Sequence, residues 1–198
     1  MKRLFDIVAS FSALLLLLPL FLLLALIVAV TSPGGAFFRQ VRVGREGVDF
    51  HLLKFRSMRP GSEVKGQITV GGRDPRITGI GYVLRKTKLD ELPQLWNVFI
   101  GDMSIVGPRP EVPNYVAMYT AEQREVLRVR PGISSLASIA YINENEVLGR
   151  STDPERAYIE EVMPAKLALD LQYVREQSLA LDLRIIFRTV TKIFISGS

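Results

Sequence analysis

The chain has no cysteine and one histidine, His51. Disulfide staples, thiolate zinc sites, a thiol nucleophile and a multi-histidine metal centre are therefore excluded. Charge is missing from a long stretch as well: between Asp6 and Arg39 there is no Asp, Glu, Lys or Arg. The usual nucleotide and hydrolase signatures are also lacking, with no phosphate-binding glycine-lysine loop, no dinucleotide glycine triad and no serine elbow. What remains is a chain of 198 residues with a formal charge of +5, whose charges fall almost wholly after residue 38. That length supports one modest domain. The two parts face different solvents.

Residues 7–38 carry no charge, and over residues 11–30 only Ser12 and Pro19 interrupt a run of Ala, Leu, Ile, Val and Phe. As a straight helix, residues 7–30 would reach about 36 Å, enough to cross a hydrocarbon core about 30 Å thick. Pro19 argues against a plain span, because a mid-helix proline removes a backbone donor and bends the helix. Charge points the same way. Lys2 and Arg3 flank one end and Arg39, Arg42 and Arg45 the other, so the positive-inside rule assigns both ends to the cytoplasm. A re-entrant helix satisfies both features, and an ordinary signal anchor stays open beside it. A cleaved signal is disfavoured by the length of the apolar run and by the turn-forming residues 31–35.

Residues 1–36 thus read as a membrane element with its exit turn, and residues 37–198 as one soluble domain. Residues 37–43 and 48–55 alternate in polarity and are joined by Gly44-Arg45-Glu46-Gly47, which predicts a β-hairpin carrying Lys54 and Arg56 on one face. Residues 57–76, rich in Gly and Pro, predict a loop. Leu89, Leu92, Leu95, Trp96 and Phe99 have helical spacing, with Pro93 tolerable only near the start, so Asp90 and Glu91 fall at a helix N-terminus. Thr120 to Gln123 is a capping box opening a helix to about Arg130. Pro154 and Pro164 mark two further helix starts. Over residues 179–195 an apolar run carries Arg184, Arg188 and Lys192 along one side, as an interfacial helix would or as a core helix with a basic edge would. The fold class is mainly α with a small β-hairpin element, on one Pro-kinked re-entrant helix with interfacial amphipathic helices.

Asp90 and Glu91 follow the basic residues Arg85, Lys86 and Lys88, a mixture suited to a phosphate and a metal. A helix N-terminus favours anions, so a carboxylate there stays ionised, as a nucleophile or Mg²⁺ ligand must. The same pair would also serve as plain capping. Arg109 lies between Pro108 and Pro110, which stiffen the loop that carries its guanidinium. Lys54, Arg56 and Arg130 are further candidates for phosphate contact. Nucleic acid is excluded as a partner because the basic residues adjoin a lipid-embedded helix and no groove-reading helix or stacking motif is present.

Taken together, the Pro-broken N-terminal helix, Lys54-Phe55-Arg56-Ser57-Met58, the block from Arg85 through Leu95, Gly101 through Pro110, Arg130-Pro131-Gly132 and Leu181-Asp182-Leu183 resemble the small monotopic phosphoglycosyl transferases, the catalytic domain of the bacterial sugar transferase family. The match covers nearly the whole chain. The resemblance implies transfer of a sugar-1-phosphate from a UDP-sugar to a polyprenol phosphate, usually undecaprenyl phosphate, at the cytoplasmic face of the bacterial inner membrane. UMP leaves, and downstream glycosyltransferases extend the product into a glycoconjugate or exopolysaccharide. It further implies Asp90 as the nucleophile that carries the phosphosugar, and Glu91 as its partner in holding Mg²⁺ or the acceptor. Lys54, Arg85 and Arg109 match positions around the phosphates, and Asp182 matches a supporting acid. The larger relatives' extra helices and domain are not matched, which implies a stand-alone catalytic unit. After Arg130-Pro131-Gly132 the sequence Ile133-Ser134-Ser135-Leu136-Ala137-Ser138 departs from the Ile-Thr-Gly-Leu-Ala-Gln of many relatives, so the sugar is not assigned. A non-catalytic membrane-anchored scaffold, binding anionic lipid or partner proteins, is the alternative from another class.

Overall fold

The computed structural model describes residues 1–62, 68–70 and 74–196. Two helices, α1 (Lys2–Leu16) and α2 (Leu18–Thr31), lead into a hairpin of β1 (Phe37–Val43) and β2 (Asp49–Phe55). There follow α3 (Gly79–Lys86), a 3₁₀ turn over Leu89–Glu91, α4 (Gln94–Ile100), the short strand β3 (Ser104–Val106) and α5 (Pro113–Val116). The chain ends with β4 (Gly132–Ser134), α6 (Leu136–Ala140), α7 (Glu144–Gly149), α8 (Pro154–Ala157), α9 (Met163–Glu176) and α10 (Leu179–Ser196). The expected helix-dominated fold with one hairpin is observed.

Between α1 and α2 the axis turns by 66°. The break falls at Leu17, two residues before the expected point, and Pro19 sits in the first turn of α2. First-turn amides have no intrahelical acceptor, so proline there starts a new helix without losing a bond. Among the described residues no single helix is long and apolar enough to cross a membrane, whereas this bent pair together is.

Both ends of the pair are fastened to the domain. Arg3 donates to the carbonyls of Val98 (2.6 Å) and Phe99 (2.8 Å), capping the C-terminus of α4. Lys2 pairs with Asp182 of α10 at 2.7 Å. Asp6, fully buried, accepts from the Ser104 hydroxyl and the Ile105 amide of β3. At the other end Leu24 and Val28 of α2 pack with Phe55 and Leu84, and the Phe21 ring lies tilted against Phe55 with centroids 5.0 Å apart. The elbow itself is bare: Leu15, Leu16, Leu18, Leu22 and Leu23 are all exposed. The apolar tip is thus held out from two anchored ends across the 66° bend.

The antiparallel hairpin pairs Phe37 with Phe55 and Val43 with Asp49 around a turn in which Glu46 and Gly47 take positive φ. Arg56 lies past the end of β2. An unexpected second sheet joins β3 and β4 in parallel. Gly107 and Gly132 touch there so closely that a Cβ on Gly132 would lie 2.0 Å from the Gly107 nitrogen. This contact brings the loop bearing Arg109 against the segment after Pro131.

Three boundaries differ from expectation. Thr120 and Gln123 do exchange the two capping-box bonds, at 2.9 and 3.2 Å, but the segment they open is a 3₁₀ helix that ends at Arg128. The helix starts at Pro154 and Pro164 belong to one continuous run. A π stretch over Tyr158–Val162 links α8 to α9, and the wider register absorbs the amide that Pro164 lacks. Of the expected loop over 57–76, Met58 bridges to Ile77, and residues 63–67 and 71–73 lie outside the described residues.

Candidate active site

The site begins with a backbone detail. Lys88 adopts a left-handed conformation (φ 59°) at the end of α3, which swings the chain into the 3₁₀ turn over Leu89–Glu91. Strain of this kind persists only where packing over-determines it. Here Leu89 and Leu92 provide that packing, seated on the Leu24, Val28, Phe55 and Leu84 cluster. The two carboxylates between them are carried on top, so α2 forms part of the floor beneath the dyad.

Glu91 is an ion-pair hub. Its Oε1 accepts from Arg109 at 2.5 Å and from Lys54 at 3.3 Å, with most of the side chain buried. Burial pushes Glu91 up, but the Arg109 guanidinium and the Lys54 ammonium outweigh it and hold the carboxyl well below its usual range. Reciprocally, Glu91 holds Arg109 above its ordinary value. Burial pulls Lys54 down, with Glu91 opposing.

Asp90 is different. It is 5% exposed, and its Oδ1 is buried with no hydrogen-bond partner. Burial pushes its carboxyl up, Lys54 opposing and Glu91 adding to the rise. A single 3₁₀ turn has little dipole to offer, so desolvation and not the helix terminus sets the direction of the shift at Asp90. Two adjacent carboxyls driven apart in this way are a division of labour: one is a fixed anion, the other a free group.

A cavity of about 380 Å³ opens over Asp90 and Glu91, lined among others by Lys54, Arg85, Lys88, Arg109 and Lys192. Lys54 and Arg85 also border a second chamber of about 440 Å³, where Arg39, Arg42 and Arg59 gather and no carboxylate is among the described lining residues. Arg85 donates to Thr69 at 2.8 Å. Anions are favoured throughout this region.

The other residues singled out from the sequence stand apart from the dyad. Arg56 donates to the carbonyls of Gly35 and Phe37, tying the exit turn to the hairpin at the rim of the cationic chamber. Arg130 donates to the Gly101 carbonyl. Asp182 is fully buried between Lys2 and the Tyr173 hydroxyl, and supports the N-terminal helix. The carbonyls of Pro108 and Pro110 accept from the Gly132 amide and from Arg42, fixing the loop on both sides of Arg109. Sequence reading missed Arg42 and Lys166. It placed Lys192 only on a helix edge, where the fold aims it into the dyad cavity. Only the alternation of β1 gave a cue to Arg42.

A divalent cation at this site would need most of its ligands from outside the chain. No cluster of three or more metal-ligating side chains exists among the described residues, and Mg²⁺ commonly takes one or two carboxylates plus phosphate oxygens and water. The unpartnered Oδ1 of Asp90 can serve as such a ligand, whereas Glu91 would first have to release Lys54 or Arg109.

The family described as bacterial sugar transferase matches residues 1–196. A UDP-glucose:undecaprenyl-phosphate glucose-1-phosphate transferase of Klebsiella pneumoniae is 41% identical over 201 residues, covering all of this chain and 41% of the relative. The exopolysaccharide production protein PSS of Rhizobium leguminosarum bv. phaseoli is 40% identical over 204 residues, covering 100% of this chain and 96% of the relative. A UDP-N-acetylgalactosamine-undecaprenyl-phosphate N-acetylgalactosaminephosphotransferase of Aeromonas hydrophila is 39% identical over 97% of this chain and 43% of its own length. The chain thus spans about two fifths of the first and third of these proteins and nearly the whole of the second.

Proposed function

Because this chain belongs to the bacterial sugar transferase family, we propose that it moves a sugar-1-phosphate from a UDP-sugar to undecaprenyl or a related polyprenol phosphate and releases UMP. The observation that carries the reading is the buried, unpartnered oxygen of Asp90 beside a Glu91 already committed to two cations.

In the first step an Asp90 oxygen attacks the sugar-bearing phosphorus. The new carboxylate–phosphorus bond forms as the bond from phosphorus to the bridging oxygen breaks, and UMP departs with that electron pair. In the second step a phosphate oxygen of the polyprenol phosphate attacks the same phosphorus, and the Asp90 carboxylate is expelled. The lipid diphosphate-sugar produced is a substrate for later glycosyltransferases. Both steps bring anion toward anion, so Lys54, Arg85 and Arg109 are needed to offset the charge that accumulates on the phosphoryl oxygens. Glu91 keeps Arg109 and Lys54 charged and aimed. Mg²⁺, held by Asp90 and the donor's own phosphate oxygens, would add neutralising charge.

The bent, end-anchored pair α1 and α2 with its exposed leucine elbow supports a re-entrant insertion into the cytoplasmic leaflet of the inner membrane. Exposed Leu183, Phe187 and Val190 on α10 support contact of that helix with phospholipid. A scaffold needs no buried carboxylate with a free oxygen, so the enzyme reading is preferred.

The test uses membrane-embedded protein with a UDP-sugar and Mg²⁺ but no acceptor. Stoichiometric UMP release and a sugar phosphate bound to protein are expected. Asp90→Asn should lower turnover with acceptor by about a thousandfold, and an unimpaired Asp90→Asn enzyme would remove Asp90 as the nucleophile.

A further inference from the structure

Beside the dyad cavity lies a smaller chamber of about 180 Å³, bordered by Arg42, Glu111, Tyr119, Tyr158, Lys166 and Asp170. It opens onto the dyad cavity across Arg109, Glu144, Asn145 and Lys166, which line both. It shares Arg42, Thr69 and Val112 with the cationic chamber, but its lining also carries carboxylates. Each cation is already matched: Arg42 with Glu111 at 3.0 Å, Lys166 with Glu144 at 2.6 Å, and Arg109 with Glu91. The Tyr158 hydroxyl donates to Glu111. Arg42, Arg109 and Lys166 face Glu111, Glu144 and Asp170 in its lining, so the chamber offers a phosphate no net positive charge. Hydroxyl groups of a neutral ligand, which both donate and accept, would find carboxylates, phenols and an amide.

One oxygen at this chamber lacks a partner. Asp170, on α9, is 4% exposed, and its Oδ1 is buried without a hydrogen bond. Leaving such an atom unpaired is costly, on the order of 1–3 kcal/mol, and a ligand hydroxyl would relieve it. Burial pushes this carboxyl up to about 7, against the pull of Lys166 and of hydrogen bonds from the Arg109 and Ala137 backbones and the Ser135 side chain, so near neutrality it can donate as well as accept. The chamber is also smaller than the roughly 300–1,000 Å³ typical of sites that engulf a whole ligand. A nucleotide sugar must therefore lie across more than one chamber.

We propose that this charge-balanced chamber is the subsite for the sugar ring of the donor, with the free Asp170 oxygen receiving a ring hydroxyl and helping to decide which sugar is accepted. The donor is oriented by the partition of charge: the sugar enters the balanced chamber, its phosphates cross Arg109 and the dyad, and the nucleotide end points toward the cationic side. The inference rests on the transferase reading above.

The experiment is steady-state kinetics of the full chain in lipid nanodiscs, with a panel of UDP-hexoses and UDP-N-acetylhexosamines, undecaprenyl phosphate and Mg²⁺. UMP is included as a product inhibitor. Asp170→Asn keeps the volume and should cut kcat/KM for the best donor by about tenfold. It should narrow the preference between the best donor and its epimer, and leave the inhibition constant of UMP within twofold. Tyr119→Phe, whose hydroxyl lies near Glu111 and Asp170, should act in the same direction and guards against a misfolded Asp170 variant. If donor discrimination is unchanged in the variants that fold, or if UMP inhibition weakens in parallel with kcat/KM, the sugar lies elsewhere and the subsite is rejected. A wild-type chain that releases no UMP from any donor overturns the transferase reading and the subsite with it.

Discussion

Glu91 acts on its neighbour as well as on its two cations. Its negative charge adds to the upward pressure on Asp90, while the Lys54 ammonium that it engages pulls Asp90 down. If the reaction needs ionised Asp90, activity is lost as pH falls through that raised value, so the acid limb of kcat/KM should lie above the ordinary aspartate range of about 3.9. Glu91→Gln removes the adjacent anion and frees Lys54 for Asp90. The limb should then move to lower pH, while the plateau falls at least about tenfold because Arg109 has lost its anchor. A pH–rate series on the two proteins decides it, and a limb that moves upward would contradict the assigned coupling. At this scale the sequence was informative where neighbours in sequence are neighbours in space. Asp90, Glu91 and the stiff Arg109 loop lie within one short block. Arg56 and Arg130 have the right chemistry, but their direction is set by carbonyls of Gly35, Phe37 and Gly101, which no residue type reveals. Asp170 and Lys166 flank Leu167 and Leu171 on α9 and read as the polar margin of a core helix.

Among the elements, α1 is held by polar bonds at an end that otherwise reads as membrane. Lys2 and Arg3 satisfy the positive-inside pattern, yet their heads are spent on Asp182 and on the last carbonyls of α4. Asp6 does the same for β3. Asp6→Ala would leave the Ser104 hydroxyl and the Ile105 amide without their acceptor, a loss of about 3 kcal/mol. Chemical denaturation in detergent micelles should report it, and a change under about 1 kcal/mol would mean that water or relaxation replaces the carboxylate. The hairpin was legible because strand alternation and a Gly-bracketed turn are local signals. The parallel pair β3 and β4 was not, being two three-residue strands created by the approach of Gly107 to Gly132 across the fold. The break at Leu17 was legible in kind and misplaced by two residues, because proline is compatible with a first turn and forbids the turn before it.

For the molecule as a whole, polar fastenings and an apolar elbow lie at opposite ends of α1. Leu16, at the tip, is 80% exposed. In the proposed insertion Leu16→Asp puts a charge at the deepest point, at a cost of about 2.5–3.5 kcal/mol. Partition onto vesicles containing phosphatidylglycerol should fall about a hundredfold, with the domain still folded by circular dichroism. Undiminished sedimentation with vesicles would reject the elbow as the inserting part.

Leu89 and Leu92 rest on Leu24 and Val28 of α2, and this has a bearing on biogenesis. A newly made chain in which α2 has not yet packed lacks the support that holds the left-handed Lys88 and the turn after it. The seating of α2 and the register of Asp90 and Glu91 with Arg109 and Lys54 are therefore set in one folding event.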